Sequence, residues 1–348
     1  MPIPTKWPTC FAMFHTPGSN HFTTLLQHTN PDTYNRITDV PLTGGYVVVP
    51  FTTTAECPIV FIRAEELHEE EIPAMHDGAS YHTSPLHTPD NEERAAYAQS
   101  FQEVKQRLVD GRVEKVVLSR RLHYHTEFTL QAHDLFLKAC HARPDCFVSL
   151  WHTPQTGTWL VATPEPLLKK TAQGWSTVAL AGTLPWKEGD KPLWNHKNRE
   201  EQTIVARYIE ELLHDRCTDW EKSATYSRRA GNIQHLCTDF SFRLKQESDM
   251  LDLLQALHPT PAVCGLPCAE ARQAILCSER TPRRYYAGFS GPLQLNDCTA
   301  LYVSLRCMQF TAHEALLYAG GGIMRESTEN EEWEETNRKL QTMRLLLP

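Results

Sequence analysis

A run of three glycines, followed directly by an acidic segment with helical spacing, constrains this chain more than any other feature. The glycines interrupt the strand-like residues 318–325, and the carboxylates follow in residues 327–339. Glu332 and Glu335 are three residues apart on one helical face, and Lys339 follows four residues later on the same face. Two acids and a lysine beside glycines are typical of a site for a hard cation, but a solvated helix with an ordinary ion pair has the same pattern.

The acidic segment also predicts a helix that is docked against the rest of the protein. Thr328 and Glu331 have the spacing of a capping box, which places the start of the helix where the glycine loop ends. An apolar stripe along the same segment predicts that one side of the helix is buried. The stripe consists of Trp333, Leu340, Met343 and Leu347. We therefore expect the acidic face to be held in a fixed position.

Composition limits the classes of function. The chain has 348 residues, of which 41% are hydrophobic and 22% charged, as in globular domains. No apolar run approaches the roughly 20 residues that cross a bilayer, and the N-terminus lacks an apolar leader, so we expect no membrane association. A net charge of −8 without a basic block argues against a nucleic-acid partner.

The cysteines predict a reducing compartment. There are eleven of them, an odd number without the spacing of a disulfide framework, which indicates free thiols and a cytoplasmic location. Cys264 and Cys268 come nearest to a metal-binding pair, but no second pair follows, so a zinc site is disfavoured.

Neighbouring strands with interleaved helices predict an α+β fold of mainly antiparallel sheets flanked by helices. We expect one large domain, in which residues 1–90 are a strand-rich part and residues 91–348 are the core, with a seam at the polar segment 85–90. The predicted helices cover residues 91–108, 197–214, 249–257 and 268–276. The predicted strands cover residues 45–51, 57–62, 114–124, 147–151, 158–162, 177–181, 288–293, 300–310 and 315–318.

Two residues near predicted strands have side chains suited to proton transfer. Lys115 opens a strand; it is either an exposed edge lysine or a base whose pKa burial or cationic neighbours would have to lower. Glu165 lies between two prolines in a rigid turn, which suits a solvated loop carboxylate or a positioned general acid.

Other segments offer possible ligand contacts. Gly182 and Thr183 end a strand in small residues, where a ligand can approach the backbone. Glu201 lies in an early turn of a helix, where a cap is the alternative. His258 begins a proline-rich loop in which a structural histidine is the alternative. Arg306 lies in the strand predicted over residues 300–310, where a buried guanidinium needs a partner such as a substrate carboxylate.

In their order along the chain, these segments resemble the chorismate-utilising enzyme family, which includes the isochorismate, salicylate, anthranilate and aminodeoxychorismate synthases. The resemblance runs from about Arg94 to the C-terminus. It includes the motifs Lys-Val-Val-Leu-Ser-Arg, Pro-Glu, Leu-Ala-Gly-Thr, His-Pro-Thr-Pro-Ala-Val-x-Gly-x-Pro, Tyr-Ala-Gly and Glu-Trp-x-Glu-Thr-x-x-Lys. In that family, lysine at the position of Lys115 marks the branch that uses water, where ammonia-using members have glutamine. The loop that begins at His258 is most similar to that of isochorismate synthases.

The resemblance implies an isochorismate synthase, in which Lys115 activates water for attack at C2 of chorismate and Glu165 protonates the departing C4 hydroxyl. It implies that Mg²⁺ binds between Glu201 and Glu335, with Glu332 close by. The implied substrate contacts are Gly182, Thr183, His258, Tyr286, Arg306, Gly320 and Lys339.

The resemblance further implies a cytoplasmic monomer without an amidotransferase subunit, which supplies menaquinone or siderophore biosynthesis. Salicylate synthase is the nearest alternative, because it forms the same intermediate and then eliminates pyruvate. An aminodeoxychorismate synthase and a non-catalytic protein that keeps the fold are more distant alternatives.

Overall fold

The computed structural model describes residues 9–74, 91–186, 188–189, 192–230 and 233–348. The N-terminal residues 1–8 and the seam predicted at residues 85–90 lie outside these ranges, so the domain boundary at residue 90 stays a prediction. No helix in the described part of the chain is long and apolar enough to cross a membrane. Each of the eleven cysteines is a free thiol.

Six α-helices and nineteen strands lie in the described residues. The helices are α1 (Asn91–Val109), α2 (Ala132–Ala142), α3 (His196–Arg216), α4 (Met250–Leu257), α5 (Cys268–Ser278) and α6 (Glu329–Arg344). The strands are β1 (Cys10–His15), β2 (His21–Gln27), β3 (Asp32–Tyr34), β4 (Gly45–Val49), β5 (Ile59–Arg63), β6 (Glu66–Glu71), β7 (Lys115–His125), β8 (Phe147–Thr153), β9 (Gly157–Thr163), β10 (Pro166–Thr171), β11 (Gly174–Pro185), β12 (Cys217–Lys222), β13 (Tyr226–Ala230), β14 (Ile233–Leu244), β15 (Gly265–Leu266), β16 (Phe289–Leu293), β17 (Ala300–Val303), β18 (Cys307–Phe310) and β19 (Glu314–Ile323).

The strands form two antiparallel sheets. The first sheet has the order β15-β7-β19-β18-β9-β8-β1-β2-β6. The second has the order β12-β14-β11-β10-β17-β16-β4-β5-β3, and β13 pairs with β14 beside that path. Strands β1, β2 and β6 therefore lie in the first sheet, and β3, β4 and β5 lie in the second. In both sheets they pair with strands from the rest of the chain. The architecture confirms the predicted α+β class of antiparallel sheets with helices.

Alternation along the strands divides the buried core into two layers. In β1, Cys10, Ala12 and Phe14 point into a layer that contains side chains of both sheets. Phe11 and Met13 point the other way, into a layer shared with α2 and α6. Full burial of one large apolar side chain stabilises a protein by about 1.5–3 kcal/mol, so these layers fix how the sheets and helices are placed.

Helix α6 is docked against the rest of the protein, as the sequence predicted, but the hydrogen bonds at its N-cap differ from the predicted ones. Trp333, Leu340 and Met343 are buried, as the stripe predicted. Thr328 is the N-cap residue, yet its hydroxyl donates to the Glu331 carboxylate at 2.6 Å and accepts no bond from a backbone amide. The predicted position of the helix start was therefore correct, and the predicted reciprocal capping box was wrong.

The strand predicted over residues 300–310 is two strands in different sheets. β17 ends at Val303 in the second sheet, and β18 begins at Cys307 in the first. Between them the chain crosses from one sheet to the other, and Arg306 takes a left-handed φ of 47°. Arg306 therefore lies between two strands, whereas the sequence predicted that it lies within one. Apolar alternation continues through Leu305 without a break, so the pattern did not reveal the crossing.

The glycine run lies inside a strand, whereas the sequence predicted that it interrupts one. β19 continues to Ile323 and pairs with β7, with Gly320 opposite Ser119 and Gly322 opposite Val117. The ladder is regular here, so the glycines are not needed for a turn. Their role is to leave space for neighbouring side chains.

Candidate active site

A cavity opens between the two sheets beside two segments that cross from one sheet to the other. Pro164 and Glu165 link β9 to β10, and residues 304–306 link β17 to β18. The two crossings lie side by side, because the Val303 amide donates to the Glu165 carbonyl at 3.0 Å and the Ala162 amide donates to the Arg306 carbonyl at 3.0 Å. Eight predicted site residues line the cavity. They are Glu165, Gly182, Thr183, Glu201, Tyr286, Arg306, Gly320 and Lys339.

The Glu165 carboxyl group can exchange a proton near neutral pH. Glu165 is only 4% exposed to solvent. Burial raises its pKa to about 7, against the opposing positive charges of Lys115, Arg306 and Lys339. A carboxyl group with a pKa close to the working pH is suited to general acid catalysis.

Arg306 is a buried cation whose side-chain partner in the described residues is a histidine and not a carboxylate. Its Nη2 lies 3.1 Å from Nε2 of His235, and Nδ1 of that histidine lies 2.8 Å from the Gly182 carbonyl oxygen. Because Nδ1 faces an acceptor, it carries the proton and Nε2 accepts from Arg306. Burial and the charge of Arg306 lower the pKa of His235 to about 3, so the ring stays neutral.

His235 lines the cavity but was not among the predicted site residues. It lies in β14, a strand that the sequence did not predict. Its one signal is a histidine within the segment Ile233–Leu244, which also contains the apolar residues Leu236, Phe240 and Phe242. Without the strand assignment, that histidine could not be placed beside Gly182.

Lys115 is fully buried and lies directly behind the cavity wall. Its Nζ is 2.9 Å from Oε1 of Glu201, which does line the cavity. A Cβ atom added at Gly322 would lie 3.0 Å from Lys115 Cε and 2.3 Å from Glu201 Oε1. Gly322 is therefore required so that this ion pair can approach the strand, and Gly322 lines the cavity whereas Lys115 does not.

The two acids of α6 also have lysine partners. Lys197 contacts Oε1 of Glu332, and Lys339 lies 2.7 Å from Oε1 of Glu335 and 2.8 Å from the Gly320 carbonyl oxygen. Burial and the charge of Glu335 raise the pKa of Glu332. Burial would also raise the pKa of Glu335, but Lys339 and Lys197 outweigh it and lower the pKa. Lys197 was not among the predicted site residues.

The three predicted metal ligands are suited to magnesium by their chemistry. A Cβ atom at Gly321 would lie 2.9 Å from Glu332 Oε2 and 3.8 Å from Glu335 Oε1, so both carboxylates lie against this glycine. Glu201 lies against the next one. Three carboxylates are ligands that Mg²⁺ accepts. Among the residues that the structure describes, no group of three or more His, Cys, Asp and Glu side chains is already gathered around one point to hold a metal ion.

Glycine at two further positions brings polar groups to the cavity. A Cβ atom at Gly320 would lie 2.7 Å from the Tyr286 hydroxyl, so the phenol lies against the glycine strand. Gly182 has a left-handed φ of 67°, which suits glycine, and its carbonyl orients His235. Thr183 Oγ1 lies 3.4 Å from the same ring, at Nδ1.

His258 is not where the sequence predicted a substrate contact. Its Nε2 lies 3.0 Å from the Pro50 carbonyl oxygen, and its ring packs edge-on against Phe289. Burial lowers the pKa of His258 to about 4, so the neutral ring donates to that carbonyl. His258 anchors the proline-rich loop, and Ala262 and Val263 of that loop line the cavity in its place.

The cavity thus joins a buried arginine without a carboxylate partner to a carboxyl group that titrates near neutrality. These features define a site for a small anionic molecule, with groups that can transfer protons.

The chain belongs to the chorismate binding enzyme family, whose family model matches residues 49–347. The match begins earlier than Arg94, where the sequence motifs begin. The chain is 30% identical to isochorismate synthase EntC of Escherichia coli, in a match that covers 66% of this chain and 61% of that relative. It therefore spans less than two thirds of the length of that relative.

Two other comparisons agree with the family. Isochorismate synthase DhbC of Bacillus subtilis is 28% identical over 79% of this chain and 72% of its own length. The structure of MenF, the menaquinone-specific isochorismate synthase of Escherichia coli, has a TM-score of 0.81, with 20% identity, 99% of this chain covered and 90% of that chain covered. That likeness shows the fold.

Proposed function

We propose that the protein is an isochorismate synthase that converts chorismate to isochorismate with Mg²⁺. The observation that carries the proposal is Glu165, a buried cavity carboxyl group with a pKa of about 7, in a position to protonate a leaving hydroxyl. Lysine at position 115 supports water as the nucleophile, because the resemblance places glutamine there in ammonia-using members. The relatives EntC and DhbC are named isochorismate synthases.

In the proposed reaction, two residues move protons at opposite ends of an allylic substitution. Lys115 takes a proton from water as the oxygen bonds to C2 of chorismate, and the ring double bond shifts. Glu165 gives its proton to the oxygen on C4 as that C–O bond breaks, and the hydroxyl leaves as water. A positioned acid or base commonly contributes ~10²–10⁴-fold to the rate. Lys115 can serve as the base only when its Nζ no longer pairs with Glu201.

The remaining residues would hold the substrate. Arg306, Tyr286 and Lys339 would bind the carboxylate of the pyruvyl group, because Arg306 lies buried in the cavity without a carboxylate partner. Backbone groups of Gly182, Thr183 and Gly320 would make further contacts.

Glu201, Glu332 and Glu335 would hold Mg²⁺. When bound, the ion would supply positive charge to the ring carboxylate of chorismate. Each of these acids now contacts a lysine, so we expect binding of the ion to depend on how easily these ion pairs open.

The decisive experiment is product analysis. Purified protein is incubated with chorismate and Mg²⁺, with and without ammonia, and the products are separated by liquid chromatography. Isochorismate as the sole product supports the proposal. Salicylate with pyruvate identifies a salicylate synthase, an ammonia-dependent amino product identifies an aminodeoxychorismate synthase, and tight chorismate binding without turnover identifies a non-catalytic member.

The same preparation tests the proposed partners. We propose a cytoplasmic monomer that works without an amidotransferase subunit, in menaquinone or siderophore biosynthesis. Light scattering on the active sample gives its mass, and a dimer mass would contradict the monomer. Activity that appears only after addition of an amidotransferase would contradict the absence of a partner.

Glu335 tests the proposed metal site. In Glu335→Gln, we expect the Mg²⁺ concentration for half-maximal activity to rise roughly 10–100-fold, because one anionic ligand is lost. Calorimetric titration of Mg²⁺ checks the same loss without turnover. Glu334→Gln is the matched control, since Glu334 is the exposed neighbour on the same helix. Equal Mg²⁺ affinity in both variants would contradict a metal role for Glu335.

A further inference from the structure

A buried ion pair lies behind the cavity, outside every motif assigned above. Glu279 directly follows α5, and Arg283 lies four residues later; their side chains are 5% and 3% exposed. Two guanidinium nitrogens face the two carboxylate oxygens, with Nη2 2.6 Å from Oε1 and Nε 2.9 Å from Oε2. Such a fork-to-fork pair fixes direction as well as distance.

This pair completes the hydrogen bonding of β7 where its neighbouring strand ends. β15 pairs only with Lys115 and Val116, and the Val117 amide donates to the Cys264 carbonyl at 2.8 Å. Beyond that point, Arg283 Nη2 donates to the Val117 carbonyl at 2.5 Å. The Ser119 amide donates to Glu279 Oε1 at 2.7 Å. Two side chains thus take the place of a missing strand on the edge of β7.

The same arginine connects β7 to two other walls of the cavity. Its Nη1 donates to the Val263 carbonyl at 2.8 Å, and Val263 lines the cavity. Its own carbonyl accepts from the Tyr286 amide at 3.0 Å, and Tyr286 lines the cavity too. Val117 and Val263 therefore depend on the Arg283 side chain for their mutual placement, and Tyr286 is tied to the main chain of the same residue.

We infer that Glu279 and Arg283 are positioning residues for the catalytic cavity, because they hold β7, the proline-rich loop and Tyr286 in register. The kinetic part of this inference rests on the proposed function. β7 carries Lys115 at its start, so a shift of its edge moves the proposed base relative to the substrate. Misplacement by about 1 Å can cost roughly 10²-fold in rate.

The primary variant is Arg283→Lys, which keeps the positive charge and loses the fork. A lysine ammonium group can donate to Glu279 or to one carbonyl. It cannot reach all four present acceptors, which are the two Glu279 carboxylate oxygens and the Val117 and Val263 carbonyl oxygens. Arg280→Lys is the matched control. Arg280 forms a half-exposed pair with Glu103 at 2.8 Å, next to Glu279 in sequence, and does not line the cavity.

The first readout is amide hydrogen exchange of the intact protein, which needs no turnover. We expect Arg283→Lys to accelerate exchange in the peptides that contain Ser119 and Val263 by roughly tenfold or more, with the other strands unchanged. Arg280→Lys should match the wild type. If exchange at Ser119 and Val263 is unchanged, or if the control changes it equally, the inference is overturned, whichever reaction the protein catalyses.

The second readout is kinetic. At a temperature well below the melting point of each variant, we expect kcat/KM of Arg283→Lys for chorismate to fall roughly 10²-fold, with most of the loss in kcat. A purely structural pair would lower the melting temperature and leave kcat/KM unchanged. Wild-type protein without turnover would overturn the proposed function, while the exchange result would still decide whether the pair positions the cavity.

A double variant covers the case in which Arg283→Lys does not fold. Glu279→Gln with Arg283→Met leaves no lone charge in the core, so folding is retained more readily than after removal of one partner. It removes the donors to the Val117 and Val263 carbonyls. We expect the same faster exchange and the same loss of kcat/KM, and wild-type values for both would overturn the inference.

Discussion

Two groups of charged residues at the cavity differ in whether their charges are paired with opposite charges. The crossing wall, defined by Glu165, Arg306 and His235, holds its charges without an ion pair among the described residues: the arginine contacts a neutral histidine, and the carboxyl group has a pKa of about 7. The glycine wall is defined by residues 320–322 and by three acids that lie against these glycines, Glu201, Glu332 and Glu335; of the three acids, Glu201 lines the cavity. There, each acid contacts a lysine.

The difference separates two ways in which a site can be prepared for an anionic substrate. A buried charge without a counter-ion is costly and gains most when a ligand supplies the opposite charge. The crossing wall is therefore suited to an anionic group such as a carboxylate. The glycine wall is neutralised internally, so a cation must displace lysines before it can bind there. Variants of each wall test this contrast.

Lys115→Ala should have the largest effect, because it removes the proposed base and the partner of Glu201. We expect kcat to fall by roughly 10⁴-fold, the upper end for one proton-transfer group. The measurement is initial rate of isochorismate formation at saturating chorismate and Mg²⁺, with circular dichroism to check folding. Lys222→Ala is the control, since Lys222 forms an exposed pair with Glu210. A folded Lys115→Ala with near wild-type kcat would remove the base from the mechanism.

Glu165→Gln should be next, with a loss of roughly 10³-fold in kcat, because an amide cannot donate the required proton. The acid must be protonated, and burial raises its pKa to about 7, so wild-type kcat should be high below that pH and fall as pH rises through it. The variant should lose this limb of the profile. Glu314→Gln, at an exposed acid, should keep both rate and profile. An unchanged alkaline limb in Glu165→Gln would show that another group titrates.

The contrast between the walls also explains what the sequence could predict. The glycine wall follows from local pattern: the glycines, Glu332, Glu335 and Lys339 lie within one short stretch, and helical spacing puts the charged residues on one face. The structure places the three charged residues on one helix, as this spacing predicts, and the glycines in a continuous strand. Their partner Lys197 lies far away in the chain, and no local pattern joins it to Glu332.

The crossing wall could not be predicted in the same way. Arg306 lies in a stretch whose apolar residues alternate as in one strand, and only the pairing of its halves with different sheets reveals the crossing. His235 lies on a strand that the sequence did not predict. His258 was placed at the substrate by resemblance, whereas its ring anchors the loop to Pro50. Tertiary pairing, which local sequence does not specify, decides all three positions.

Arg306→Lys should have an intermediate effect on the crossing wall. Lysine keeps the charge but loses the planar fork that binds a carboxylate with two bonds. Hydrogen bonds to charged groups contribute about 1.5–3 kcal/mol, so we expect KM for chorismate to rise roughly 10–100-fold with a smaller change in kcat. Arg344→Lys is the control, because Arg344 is also buried but packs against Tyr124 near the C-terminus. An equal KM in the two variants would contradict a substrate contact for Arg306.

The smallest effect is on stability, and it tests the charge state of the crossing wall without substrate. The folded protein raises the pKa of Glu165 from its ordinary value of 4.5 to about 7, so folding favours the protonated acid. The stability that comes from this preference is present below about pH 4.5 and is lost as pH rises through 7. Glutamine does not titrate. The free energy of unfolding of wild type, relative to Glu165→Gln, should therefore fall by roughly 1–3 kcal/mol between pH 4.5 and 8, since one pKa unit is about 1.4 kcal/mol. Urea unfolding of both proteins across this range gives the difference directly. A difference that does not change with pH would mean that folding does not raise the pKa of Glu165, so that its carboxyl group is ionised across this range, and the crossing wall would then be compensated like the glycine wall.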